Sequence, residues 1–372
     1  MTTLTHPATA AAGRERLVWP DLAKGACILL VVLHHVIVKD YPAAVAAAYE
    51  PVEDAWRGLT FALKPVRMPL FFVVSGLFTA SAVSRSWRSS GRRIVSGYYL
   101  YVLWLGVYVV VYRLEREIPA NRVNGVADFF GELIWAASSM WFLYALVVYF
   151  VVAKALRGLP PALVVAAAAT LSMAVSGFGI EENNRYSVLA HLVFYLVGAY
   201  YPQVLRRVAD LRLRGPAVVG LALLYAAATV VVFHSGLPSS LTAFVASVIG
   251  IPLGITLAVR CVGTRIGTGL AWMGRRTLQV YVMHLAVLVA LVQLPLASGE
   301  TATLGLVTAL GYPLAMSAVV VVGCLALHRV LVRLGLGWLF ALPAVIDRRL
   351  ASAAEASPRE SLEQPAPALA AK

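Results

Sequence analysis

Residues 215–259 read GPAVVGLALLYAAATVVVFHSGLPSSLTAFVASVIGIPLGITLAV, a stretch without one Asp, Glu, Lys or Arg. A helix needs about 20 residues to cross the hydrocarbon core of a bilayer. The stretch therefore holds two spans, divided at the turn-rich segment His234–Ser240. Further runs without a charge cover 68–84, 94–112, 133–153, 158–180, 186–205, 277–299 and 301–328. The run 25–38 is shorter, but Lys24 and Lys39 can snorkel from its two ends. The chain is 60% hydrophobic and only 13% charged, where soluble domains carry roughly 25% charge. The expected fold is an all-α polytopic membrane bundle of about ten helices.

The cations set the expected orientation, because Lys and Arg are retained on the cytoplasmic side. With the amino terminus inside, alternate turns carry Arg14, Arg16 and Lys24, then Arg85–Arg93, Lys154 and Arg157, Arg206–Arg214, Arg260–Arg276, and the carboxy-terminal cations. That arrangement places 23 of the 31 Lys and Arg inside and 11 of the 18 Asp and Glu outside, the latter including Glu115, Glu117, Glu181 and Glu182. Both termini are expected in the cytoplasm. The net charge of +13 is read as a topology signal, not as a nucleic-acid footprint.

Four regions are expected: a polar amino terminus (1–20), a transmembrane domain (21–335), an interfacial segment (336–350) and a disordered cytoplasmic tail (351–372) rich in Ala, Ser, Pro and Glu. The first apolar run lacks a small-x-small cleavage site and reads as a retained helix. Cys27, Cys261 and Cys324 show no metal-ligand spacing, and no metal is expected.

Chemistry in a membrane protein is sought where ionisable side chains sit at span depth, since placing them there is costly. The first helix, WPDLAKGACILLVVLHHV (19–36), carries three such groups on one stripe. Lys24 and His35 fall within about 20° of each other and Asp21 within about 40° of His35, with His35 about 16 Å above Lys24. His34 points about 100° away and reads as a packing residue. A buried, hydrogen-bonded structural histidine is the other reading of His35. Arg67 enters from the outer face at similar depth and suits an anion or a developing oxyanion; a snorkelling arginine is the plainer alternative. Ser75 and Gly76 offer a small face for helix contact. Tyr281 and His284 share a face of the ninth helix, and His284 reads as a structural hydrogen-bonding residue. The outer aromatics Trp141 and Tyr144 fit an interfacial belt or a platform for sugar rings. His191 reads as packing.

Together these segments resemble the acyltransferase-3 family of integral membrane acyltransferases. The matching residues are Arg16, Asp21, Lys24-Gly25 and His35; Met68–Gly76; the basic turn Arg88, Arg92 and Arg93; Trp141–Tyr144; and Gly274–His284, in the family's order. His34 departs from the small residue common before the family's histidine and leaves a two-histidine site open. The resemblance implies transfer of an acyl group, acetyl in particular, from cytoplasmic acyl-CoA to a hydroxyl of an extracytoplasmic glycan or lipid-linked sugar. It maps the essential histidine to His35 and the cytoplasmic arginines to Arg92 and Arg93. With Asp21 and Lys24 at the inner mouth, those arginines form the expected donor side, because acyl-CoA is polyanionic. His35 is expected to act as base or acyl relay, in a multi-pass protein of the cell membrane. A transporter or flippase for an anionic or lipid-linked substrate is the competing class. A non-catalytic scaffold would leave the Asp21–Lys24–His35 stripe unexplained.

Overall fold

The computed structural model describes residues 17–44, 49–114, 123, 125–136, 138–178, 184–293 and 305–355. Arg14, Arg16, Glu115, Glu117, Glu181, Glu182, Arg359 and Lys372 lie outside them. The described chain is helical without a strand. In order the helices are α1 (Trp19–Lys39), α2 (Tyr41–Ala44), α3 (Glu50–Ala62), α4 (Lys64–Ser84), α5 (Gly91–Leu114), α6 (Val126–Trp135), α7 (Trp141–Ala155) and α8 (Pro161–Ala174). They continue as α9 (Asn184–Tyr200), α10 (Pro202–Asp210), α11 (Gly215–His234), α12 (Ser239–Arg260), α13 (Arg265–Gly274), α14 (Thr277–Val292), α15 (Leu306–Arg333) and α16 (Ala344–Glu355).

Among the described residues seven segments are long and apolar enough to cross a membrane, and nine if each of two bent pairs counts as one span. The expected run at 186–205 breaks where α9 meets α10 at 81°. Pro202 has no amide hydrogen to extend α9 and instead opens α10. The run at 277–299 is α14 as far as Val292, and α13, which precedes it, joins it at a bend of 80°. The run at 133–153 is split between α6 and α7, because Ala136 caps α6 in the left-handed region at φ 46°. That leaves α7 with 15 residues, about 22 Å of helix, which is short of a full span. A further helix, α3, occupies what the sequence presents as an outer loop.

α1 and α4 form the centre of the bundle. In the span windows of α1 and of the α3–α4 segment 61% of residues are buried, against 11% for α11 and 17% for α15. The outer helices expose Leu223, Val307 and Val322, the surface a protein presents to lipid. Two reciprocal glycine contacts hold the centre together. A Cβ on Gly76 would lie 2.1 Å from Tyr195 O and one on Gly198 2.0 Å from Val73 O, so α4 and α9 touch backbone to backbone. A Cβ on Gly25 would lie 1.9 Å from Leu270 O, and one on Gly274 1.8 Å from Asp21 O, which fixes α1 against α13. Close approach of this kind is the route by which helices pack in lipid, where burial alone gives no drive to associate.

Lys154, counted above as a topology charge, is 1% exposed. Its Nζ donates to the carbonyls of Ala82 (3.0 Å), Val83 (3.3 Å) and Arg85 (2.7 Å). It thereby satisfies the unpaired carbonyls at the end of α4. Beyond α15, a 3-10 turn at Gly337–Leu339 docks on α5: Trp104 Nε1 donates to Leu339 O at 2.8 Å and Tyr99 Oη to Trp338 O at 3.1 Å. Helix α16 then runs to Glu355. Helical structure therefore reaches into the first residues of the expected disordered tail, and 356–372 lie outside the described residues.

Candidate functional site: a histidine-lined cavity

A cavity of about 680 Å³ opens between α1, α4, α7, α9 and α14. His34, His35, Arg67, Trp141, Tyr281 and His284 all line it, as do Lys39 and Lys64, Ser139, Asn184, Ser187 and His191. The α1–α13 glycine contact lies directly below α14, so the residues that anchor Gly274 on Asp21 also bring His284 beside His35.

The hydrogen bonds of each histidine decide its tautomer. His35 Nδ1 lies 2.8 Å from Val31 O. A carbonyl only accepts, so Nδ1 carries the hydrogen and Nε2 keeps a lone pair. His284 is held the same way, with Nδ1 2.7 Å from Tyr281 O and 3.2 Å from Val280 O. Its Nε2 is buried and has no hydrogen-bond partner. The His35 and His284 rings meet edge to face, centroids 4.9 Å apart.

His34 differs. Its Nδ1 lies 3.2 Å from Thr60 Oγ1, and that oxygen accepts from Arg67 Nη1 at 3.4 Å. Arg67 can only donate, so the Thr60 hydroxyl is free to give its own hydrogen to His34 Nδ1. With a second lone pair the same hydroxyl can also accept from His34 Nδ1–H, so this contact suits either tautomer of His34. Two adjacent histidines thus border one cavity, His35 with its tautomer fixed by a backbone carbonyl and His34 held by a hydroxyl. The 100° between them does not remove His34 from the cavity, which is wide enough to be bordered by both; its ring also packs on Phe61 of α3, at 5.8 Å.

Arg67 is 3% exposed. Nη1 donates to Leu30 O at 3.1 Å, and Nε has no partner. A buried guanidinium lining the same cavity as an imidazole with a free lone pair makes that cavity a place for negative charge. Trp141 lines the cavity with its ring 5.9 Å from that of His191. Tyr144, by contrast, turns away, its hydroxyl on Ile134 O and its ring on Tyr101. Ser75 bonds within its own helix, to Phe71 O at 2.8 Å, and does not line the cavity.

The inner-side candidates are not part of this cavity. Asp21 is buried at the foot of α1 against Gly274, and Lys24 Nζ sits 5.1 Å from the Phe78 ring. Arg92 and Arg93 diverge. Arg92 makes a bidentate pair with Asp347 of α16, at 2.5 and 2.6 Å, while Arg93 faces the Phe150 ring at 5.6 Å. Thr60, Asn184 and His191 are site residues that the sequence reading missed or set aside. Thr60 lies in α3, which no apolar run marks. His191 carries no motif, and its Nδ1 bonds Ser187 O at 2.7 Å as a packing histidine would.

The profile of the acyltransferase-3 family (Acyl_transf_3, acyltransferase domain) matches residues 17–329. The chain is 29% identical over 204 residues to the inner membrane protein YcfT of Escherichia coli K12, a match that covers 50% of this chain and 57% of that protein. The chain therefore spans little more than half the length of this curated relative. No solved structure matches. The cavity lies wholly within the matched residues, and the chain belongs to the acyltransferase-3 family of multi-pass membrane proteins.

Proposed function

We propose that the protein transfers an acyl group, acetyl in particular, from cytoplasmic acyl-CoA to a hydroxyl of an extracytoplasmic glycan or lipid-linked sugar. The observation that carries this reading is the fixed tautomer of His35 in a cavity that Arg67 also lines. A sugar hydroxyl is a poor nucleophile at neutral pH and needs a base within reach. In the direct route its proton passes to His35 Nε2 while its oxygen bonds the thioester carbonyl carbon. The Arg67 guanidinium is the counter-charge for the oxyanion that forms. The C–S bond then breaks and the thiolate takes up the proton. The same lone pair could instead accept the acyl group first, as a covalent relay, and both routes place His35 at the reacting carbon. Trp141 supplies an aromatic face for a sugar ring. A comparison of surface glycans from a deletion strain and its parent tests the acceptor class: loss of ester-linked acyl groups is expected, and identical glycans would contradict it.

The transporter reading draws on the same cavity, and uptake of intact labelled acetyl-CoA without ester formation would favour it.

On the donor side we assign CoA phosphates to the cytoplasmic arginines, with Arg93 the stronger contributor because Asp347 already occupies Arg92. Arg93→Ala is expected to weaken acyl-CoA binding more than Arg92→Ala, each measured by titration calorimetry on protein in detergent. Equal and unchanged affinities would reduce both to topology determinants.

The orientation that goes with this reading puts both termini and the Arg85–Arg93 turn in the cytoplasm. In intact cells an impermeant thiol reagent is expected to label cysteine at position 239 and not at position 89. The reverse pattern would invert the protein and move the His35 cavity to the cytoplasmic half.

A further inference from the structure

We infer that His284 is the positioning partner of His35, accepting through its free Nε2 the hydrogen bond of the imidazolium that forms during transfer. The inference rests on the acyl-transfer reading above. When His35 takes the acceptor's proton, Nδ1–H still donates to Val31 O, so the new N–H at Nε2 needs an acceptor. A carboxylate would normally supply it, yet no Asp or Glu lines the cavity among the described residues. The groups around the ring work against a cation. Lys39 and His34 come from α1, Lys64 and Arg67 from α4, and His191 and Tyr281 from α9 and α14. Arg and Lys have no lone pair to offer, His34 Nδ1 is engaged with Thr60, and His191, whose Nδ1 bond to Ser187 O also leaves a lone pair on Nε2, packs its ring on Phe72 and Trp141 instead of on His35. Tyr281 Oη is committed to Ser139 O at 3.1 Å.

His284 Nε2 is the acceptor on the ring from another helix that does meet His35. It is a lone pair on a ring 1% exposed, in edge contact with His35 and without a partner of its own. Leaving a buried polar atom unpaired is costly, and a partner that appears only when His35 is protonated removes that cost at the step that needs it. The proton stays on His35 and leaves with the thiolate, so His284 ends the cycle unchanged.

The test compares His284→Leu, which removes the acceptor, with His284→Gln, which restores a carbonyl oxygen. With labelled acetyl-CoA as donor, His284→Leu is expected to lower kcat about 100-fold with KM for the donor unchanged, and His284→Gln to recover most of the loss. A purely structural residue would give two equal losses, and that result overturns the inference, as does a rise in donor KM without a change in kcat. Solid-state NMR of histidine-nitrogen-labelled protein in bilayers gives a readout independent of turnover. On acidification one N–H···N pair is expected, absent from both His284→Leu and His35→Ala. Protonation of His35 with no correlated His284 nitrogen sinks the inference. A wild-type protein that shows the pair but transfers no acyl group would leave the pairing intact and overturn the acyl-transfer reading instead.

Discussion

Replacing His35 by alanine is expected to abolish acyl transfer, with a loss of at least about 100- to 10,000-fold, while the protein still inserts and binds acyl-CoA. The side chain is partly exposed to the cavity and makes one hydrogen bond, to its own helix, so its removal costs little packing. What disappears is the Nε2 lone pair that the bond from Nδ1 to Val31 O leaves on His35. His34→Ala is expected to retain a substantial share of activity. It removes a ring held through Thr60, and Arg67 keeps its bond to Leu30 O when that link is gone. An inactive His34→Ala beside an active His35→Ala would reverse the roles assigned to the two rings. If both were inactive, the site would be a paired-histidine centre.

The second large effect is on folding. Gly198→Val is expected to prevent assembly of the bundle, because the new Cβ would stand 2.0 Å from Val73 O, a backbone atom that cannot move without shifting α4. Overpacking against a side chain costs about 1–3 kcal/mol, and a clash between two helix backbones exceeds that. Gly274→Val is expected to act in the same way through Asp21 O, and also to displace His284 from His35. Gly220→Ala provides the control, since a Cβ there meets nothing within 4 Å. It should leave the midpoint of thermal unfolding in detergent unchanged or slightly raised. Normal yield and unfolding for Gly198→Val would show that α4 and α9 do not touch as described.

The membrane character of the chain was legible because lipid forbids charge over a whole span, and that rule leaves long, unambiguous runs. Bends were harder to read. The break at Pro202 follows from a missing amide hydrogen, but the one between α13 and α14 sits at Arg275-Arg276, a pair that in a sequence marks only a cytoplasmic boundary. The stripe of Asp21, Lys24 and His35 correctly singled out α1, since a helical period carries that information within one element. It did not bring those residues into one site, because the cavity is built from side chains of other helices at the level of His35. Arg67 and Trp141 were found from depth and chemistry. His284 was read as structural, and the ring it meets belongs to a residue 249 positions earlier in the chain. The divergence of Arg92 and Arg93 depends on Asp347, equally distant in sequence. Such pairings are set by tertiary packing, which a single sequence does not display.

The central claim is that the His35 cavity joins a donor on one side of the membrane to an acceptor on the other. It is tested most directly with sealed vesicles that hold the purified protein with its cytoplasmic face outward and an oligosaccharide acceptor inside. Acetyl-CoA labelled in its acetyl group is added outside, and the lumenal sugars are recovered and analysed for labelled ester. The account predicts labelled ester inside the vesicles with wild-type protein and none with His35→Ala. Labelled acetyl-CoA accumulating intact in the lumen, or ester formed equally well by His35→Ala, would contradict it.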